Sequence, residues 1–194
     1  MTIRMPGIRG KGRWLSAVVA ASLAAGGIIS FVAPGTAYAL GPGKVCLYLA
    51  PSGALHQGHV GFEFQEPGRG YWAGATETPS SSWLQFESSE TTIHALFKNA
   101  MAGQHDAGYY TEYRCHSTSV SSVGAAITQA NATFHTGYVI PTNDCETKAV
   151  SIFAAYDSSN GNLWPGTVSD PSPNNFFLYY LSLPGINWGP IHYL

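Results

Sequence analysis

Cys145 is the cysteine whose position suits a nucleophile, because it begins the strongest helical pattern in the chain. In NDCETKAVSIFAAYD, Cys145 and four apolar residues after it recur at helical spacing, so the thiol is predicted to lie on the face that packs inward. Asn143 is a natural N-cap, and Glu146 follows three residues later, as in a capping box. The thiol then lies in the first turn, where free backbone N–H groups and the helix dipole favour a thiolate. The alternative is a buried cysteine that only packs.

A histidine, His59, lies near the start of the strand-like stretch GHVGFEF. Alternation places the apolar residues of this stretch on one face and leaves His59, Gly61 and Glu63 on the other. Gly61 is expected to leave space above the strand through which a reactant approaches His59. A thiol nucleophile needs a base within hydrogen-bond reach, and the base needs an acceptor that orients it. Glu77, at the end of YWAGATE, is predicted to be that acceptor, and Glu63 is the alternative.

The chain has three cysteines, so at least one is left over after pairing. Cys46 and Cys115 lie in the strand-like stretches KVCLYLAP and GYYTEYRC, and neighbouring strands bring Cα atoms to bridging distance. We expect these two to form a disulfide, which leaves Cys145 free. A different pairing among the three is not excluded by the pattern.

The elements that must hold these residues are the strands and helices of an α+β domain. Alternation predicts strands over KVCLYLAP, GHVGFEF, YWAGATE and GYYTEYRC. Helical spacing predicts helices over TTIHALFKNAMAG, SVSSVGAAITQANATFHTG and NDCETKAVSIFAAYD. The expected fold is an antiparallel sheet with about three helices in one domain, residues 40–194. From about residue 158 Pro, Asn, Gly and Ser dominate, so the C-terminal region is predicted to be mostly loop.

The first 39 residues have the order of a secretory signal peptide. Basic residues precede a long apolar run, and the stretch AYA predicts cleavage after Ala39. An uncleaved membrane anchor is the alternative. Four of the nine basic side chains and none of the eleven acidic ones precede residue 40, so the mature chain carries a net charge of about −6. We therefore expect a secreted or cell-wall-associated protein with no stable membrane anchor and no nucleic-acid partner.

The order of these motifs resembles the circularly permuted papain-like, NlpC-type superfamily of cysteine hydrolases and acyltransferases. The matching features are the His strand GHVGFEF, a strand ending GATE, a YRC strand, and GYVIPTNDCETKAVSIFAAYD, which together span about residues 44–157. In permuted members the His strand precedes the Cys helix, as His59 precedes Cys145 here. The resemblance implies that Cys145 is the nucleophile and His59 the base. The third polar residue varies among such sites, and N-D-C replaces the plain N-C of the family.

The expected function is a secreted cysteine hydrolase, either an amidase or a peptidase, or an acyltransferase that acts on an amide or ester bond. A first-turn backbone N–H, with Asn143 beside it, is expected to stabilise the oxyanion. No cofactor is required, and substrates that suit the fold include cell-wall peptides, proteins and lipids. The alternative is a secreted binding or structural module with the same fold and no chemistry.

A metal site is not predicted by the histidine pattern. His56 and His59 form the motif HQGH, but alternation would place them on opposite faces of the strand. The sequence has neither an HExxH motif nor a paired CxxC motif, which are the spacings typical of zinc sites. The remaining histidines, His105 among them, show no partner pattern and are expected at the surface or in polar networks.

Overall fold

A computed structural model of the chain describes residues 41–77, 81–99, 105–140, 142–158 and 172–194. All of them belong to a compact unit, Thr36–Leu194. The predicted signal peptide and its cleavage site lie outside the described residues. Within the described ranges, no helix has the length and apolar character that crossing a membrane requires.

The described part of the chain forms six strands and five helices, the α+β class predicted from the sequence. The strands are β1 (Gly43–Ala50), β2 (His59–Glu66), β3 (Gly70–Ala75), β4 (Trp83–Glu87), β5 (Glu112–Thr118) and β6 (His192–Tyr193). The helices are α1 (Gly53–His56), α2 (Glu90–Lys98), α3 (Val123–Phe134), α4 (Cys145–Tyr156) and α5 (Pro173–Leu178), with a 3₁₀ helix at Tyr180–Ser182.

The six strands form one antiparallel sheet in the order β4-β3-β2-β1-β5-β6. The antiparallel sheet was predicted correctly, but the helix count of about three was too low. The C-terminal region is also more regular than expected, because it contains α5, the 3₁₀ helix and β6. Helix α5 is only six residues long, so it has too few turns to show a periodicity, although Ser172 caps it and Pro173 begins it.

The sheet is covered on both faces, and the alternation of β1 and β2 separates the two cores. One cluster combines their apolar side chains, such as Leu47 and Phe62, with residues of α3, α4 and α5. The other cluster contains Tyr48 of β1 and Phe97 of α2. Each fully buried side chain of this size contributes roughly 1.5–3 kcal/mol to stability. This burial on both faces holds the start of β2 and the start of α4 in fixed positions.

The predicted disulfide joins Cys46 and Cys115. These residues lie directly opposite each other in the register of β1 and β5, and their sulfur atoms are bonded. Of the three cysteines, all within the described ranges, Cys145 alone is free. The pairing predicted from the strand pattern is therefore confirmed.

Candidate active site

Cys145 is the first residue of α4 and is completely buried. The N-cap is Asp144, whose side chain accepts the N–H of Thr147 at 3.0 Å, while the Thr147 hydroxyl accepts the N–H of Asp144 at 2.8 Å. The prediction that Asn143 caps the helix with Glu146 was wrong by one residue. An aspartate caps as well as an asparagine does, and threonine completes the box at the third helical position. The capped start fixes Cys145 in the first turn.

Asn143 instead closes the loop that leads into α4. Its backbone exchanges two hydrogen bonds with Val139, at 3.0 and 2.7 Å, and its side-chain amide donates to the carbonyl of Gly137. Because the amide is engaged within the loop, Asn143 is a poor candidate for binding an oxyanion. Its observed role is to shape the segment before Cys145.

His59 begins β2 and interacts with the Cys145 thiol. The histidine is only 4% exposed, so burial by itself would lower its pKa. The thiolate charge of Cys145, a hydrogen bond to Cys145 and contacts with Glu77 outweigh that burial and raise the pKa of His59 to about 10. The raised pKa favours the protonated form of His59.

Glu77 lies beside Nε2 of the His59 ring, two residues beyond the end of β3. Its Oε1 atom is 3.2 Å from His59 Nε2 and 2.5 Å from His105 Nε2. Burial would raise the pKa of Glu77, but the close contacts and charges of His59 and His105 lower it to about 2. The backbone N–H of Glu77 donates to Ser82 Oγ at 3.1 Å, which fixes the segment after β3.

Glu63, the alternative partner of His59, lies elsewhere on the sheet. It is four residues along the same strand, a distance of roughly 13 Å in extended chain. Its carboxyl group is fully buried and accepts the hydroxyl of Tyr48. Of the two carboxylates proposed from the sequence, the structure brings Glu77 to His59 and keeps Glu63 away from it.

Gly61 does not provide the open space that was expected beside His59. A Cβ atom built on Gly61 would lie 2.3 Å from the ring of Phe97, which α2 packs against the strand. The absent side chain therefore makes room for the core. His59 is buried, and the partly exposed atoms near it belong to Glu77 and His105, whose side chains are 20% and 19% exposed.

The turn before His59 has a strained backbone. Ala54, Leu55 and His56 all have positive φ, at 45°, 57° and 68°, a conformation that non-glycine residues rarely adopt. The Asn174 side chain donates to the carbonyls of Pro51 and His56, both at 3.1 Å, and so holds the turn from the direction of α5. His56 itself is exposed, and it is not part of the group of potential ligands that contains His59.

His105 was not identified from the sequence. It lies in the segment between α2 and β5, where no periodic pattern places it, and its ring stacks on Tyr109 at 3.8 Å between centroids. Its Nε2 contacts Glu77, so it belongs to the same cluster as His59. The atoms of His59, Glu77 and His105 that could bind a metal all lie within 4.8 Å of one another.

Tyr138 covers the Cys145 thiol from the loop before α4. Its hydroxyl donates a hydrogen bond to Cys145 Sγ at 3.6 Å, and the backbone N–H of Cys145 lies close enough to lower the pKa of the phenol. Burial and the thiolate charge of Cys145 raise the pKa of Tyr138, so the phenol stays protonated. The Lys148 ammonium lies 5.5 Å from the centre of the Tyr138 ring. A phenol oxygen thus lies beside both the sulfur and the first backbone donor of the helix.

Comparison with protein-family models, with curated proteins and with solved structures found no match to this chain.

Proposed function

We propose that this protein is an exported cysteine hydrolase or acyltransferase that attacks an amide or ester carbonyl with Cys145. The observation that carries the proposal is the order of three groups: a thiol in the first turn of a capped helix, a buried imidazole beside it, and a carboxylate 3.2 Å from Nε2 of that imidazole. This order matches the roles of nucleophile, base and orienting acceptor.

The proposed reaction begins with transfer of the Cys145 proton to His59. Because Nε2 faces Glu77, Nδ1 is the nitrogen assigned to the thiol. The thiolate attacks the carbonyl carbon, a C–S bond forms, and the carbonyl electrons move to oxygen. When the tetrahedral intermediate collapses, the bond to the leaving group breaks and His59 Nδ1–H protonates that group. Glu77 stays ionised and holds the imidazolium in place.

The acyl group on Cys145 then passes to water in a hydrolase or to an acceptor alcohol or amine in a transferase. His59 takes the proton of the incoming nucleophile, and the thiolate departs as the C–S bond breaks. The backbone N–H of Cys145, at the start of α4, supplies one donor for the oxyanion. These steps need only groups of the chain and the two substrates.

Product analysis tests this function. The exported protein is incubated separately with cell-wall muropeptides and with a panel of acyl esters, and the products are followed by mass spectrometry. We expect cleavage or transfer in one class, together with a covalent acyl adduct on the peptide that contains Cys145. Cys145→Ala is the matched control and should form neither product nor adduct. Equal product formation by Cys145→Ala would contradict the proposal.

A non-catalytic binding module is the second candidate, and one observation favours it. Cys145 exposes none of its surface, as an inert packing cysteine also would. The two functions differ in the reactivity of the thiol, because a thiolate held by His59 alkylates readily near neutral pH and a packing thiol does not.

A further inference from the structure

The cluster around Glu77 combines two imidazoles and a carboxylate on one small surface. His59 Nε2, His105 Nε2 and a Glu77 oxygen lie within 4.8 Å of one another. These three side chains come from separate parts of the chain: the start of β2, the segment after β3 and the segment before β5. Two nitrogen donors and one oxygen donor form a ligand set found in catalytic zinc sites.

A second observation points to a ligand at this position. His59 is 4% exposed, and its Nε2 makes no aligned hydrogen bond with any described residue, although it faces Glu77 at 3.2 Å. A buried ring nitrogen without an aligned partner costs free energy, and a metal ion between it and the carboxylate would satisfy it. The partly exposed side chains of Glu77 and His105 give an ion a path to the cluster.

We propose that His59, Glu77 and His105 bind one Zn²⁺ ion. Imidazole nitrogens select zinc over calcium and magnesium, which prefer oxygen ligands. Two ligand atoms that bind zinc tetrahedrally at about 2.0–2.1 Å lie roughly 3.3 Å apart. His59 Nε2 and Glu77 Oε1 already have nearly this separation, and His105 Nε2, now 2.5 Å from Oε1, would move outward by about 0.8 Å. Water completes the coordination.

Zinc at this site inhibits the enzyme, a consequence that rests on the function proposed above. A metal on Nε2 leaves the proton of the neutral ring on Nδ1, the nitrogen that must accept the proton of Cys145. Zinc also takes Glu77 away from its contact with His59. The ion therefore removes both the base and its orienting carboxylate while the thiol itself remains in place.

Isothermal titration calorimetry of the exported protein with ZnCl₂ tests the site directly. We expect one bound Zn²⁺ per chain and no comparable heat with MgCl₂. His105→Gln should weaken zinc binding at least ~10-fold, since even a lost supporting contact costs that much. His135→Gln is the matched control, because His135 is exposed and belongs to none of the potential metal-ligand groups among the described residues, and it should bind as the parent does. Absence of zinc binding, or equal binding in His105→Gln, would overturn the proposal.

Hydrolysis of 4-nitrophenyl acetate, an activated acyl ester, tests the inhibition separately. Turnover should fall in proportion to the zinc bound, and His105→Gln should need at least ~10-fold more zinc for the same loss. Unchanged or faster hydrolysis with zinc bound would overturn the inhibition. A protein that binds zinc but has no Cys145-dependent turnover in its absence would contradict the proposed function and leave the zinc site standing. A protein that shows Cys145-dependent turnover but binds no zinc would contradict the zinc site and leave the proposed function standing.

Discussion

At the scale of single residues, Tyr138 controls access to the thiol. Its hydroxyl lies 3.6 Å from Cys145 Sγ, and the sulfur exposes no surface. Replacing Tyr138 with Ala should remove this cover and speed alkylation of Cys145 by a bulky maleimide at least ~10-fold. Tyr138→Phe keeps the ring and should react at nearly the parent rate. The alkylation rate is measured by intact mass, and a slower or unchanged rate in Tyr138→Ala would show that another segment covers the sulfur.

Glu63 is a buried carboxyl group that makes stability depend on pH. Burial raises its pKa to about 7, and Glu90 of α2 adds to that effect, while the Tyr48 hydroxyl and the charges of Lys44 and His94 oppose it. A raised folded pKa means that the folded chain holds this proton more tightly than the unfolded chain. The stabilising contribution is therefore complete below pH 4.5 and is lost as pH rises to about 7.

Glu63→Gln isolates this effect because glutamine keeps the size of the side chain and never ionises. As pH rises from 4.5 to 7, the free energy of unfolding of the variant should increase relative to that of the parent. At about 1.4 kcal/mol for each unit of pKa difference, the increase is up to roughly 3 kcal/mol. Urea unfolding of both proteins at several pH values measures the difference. A difference that is constant across this range would contradict the raised pKa.

At the scale of the elements, the long periodic segments could be predicted and the short or edge segments could not. Strand β2 and helix α4 have clear periodicity, so the apolar face of β2 and the face of α4 that carries Cys145 follow from the sequence, whereas the burial of the second face of β2 does not. Edge strand β4 and six-residue α5 carry too short a pattern. The order of Cys145 and His59 along the chain indicated the pair, but His105 lies in a segment without periodicity, where only tertiary contacts place it. The one-residue error at the helix cap arose because Asn143 and Asp144 cap equally well.

The packing of α2 against β2 can be tested at Gly61. A methyl group there would lie 2.3 Å from the buried Phe97 ring, which cannot move without disturbing the core. Gly61→Ala should lower the free energy of unfolding by about 1–3 kcal/mol. Gly137→Ala is the matched control, because nothing lies within 4 Å of its added Cβ. Thermal unfolding measures both variants, and equal stability of the two would show that Gly61 faces open space, as the sequence alone suggested.

In the fold as a whole, the disulfide links the neighbouring strands β1 and β5. Cys46 and Cys115 are 69 residues apart in sequence, and the closed loop contains His59, Glu77 and His105. Restricting a loop of this length in the unfolded chain should contribute about 4 kcal/mol. The free energy of unfolding of the double variant Cys46→Ala, Cys115→Ala should therefore be lower by this amount. The variant should unfold at a lower denaturant concentration than the parent. Unchanged stability would contradict that contribution, and a native peptide map that links either residue to Cys145 would refute the pairing.

Activation of Cys145 by His59 can be measured as the alkylation rate of Cys145 at pH 6.5. Cys145 is the free thiol of the chain, so the rate with iodoacetamide reports on one site. An ordinary thiol with a pKa of about 8.5 is only about 1% thiolate at this pH. We expect the parent protein to react at least ~10-fold faster than His59→Ala, with the exposed His135→Ala as the matched control and circular dichroism confirming the fold. Equal rates in the parent and a folded His59→Ala variant would show that His59 does not activate Cys145.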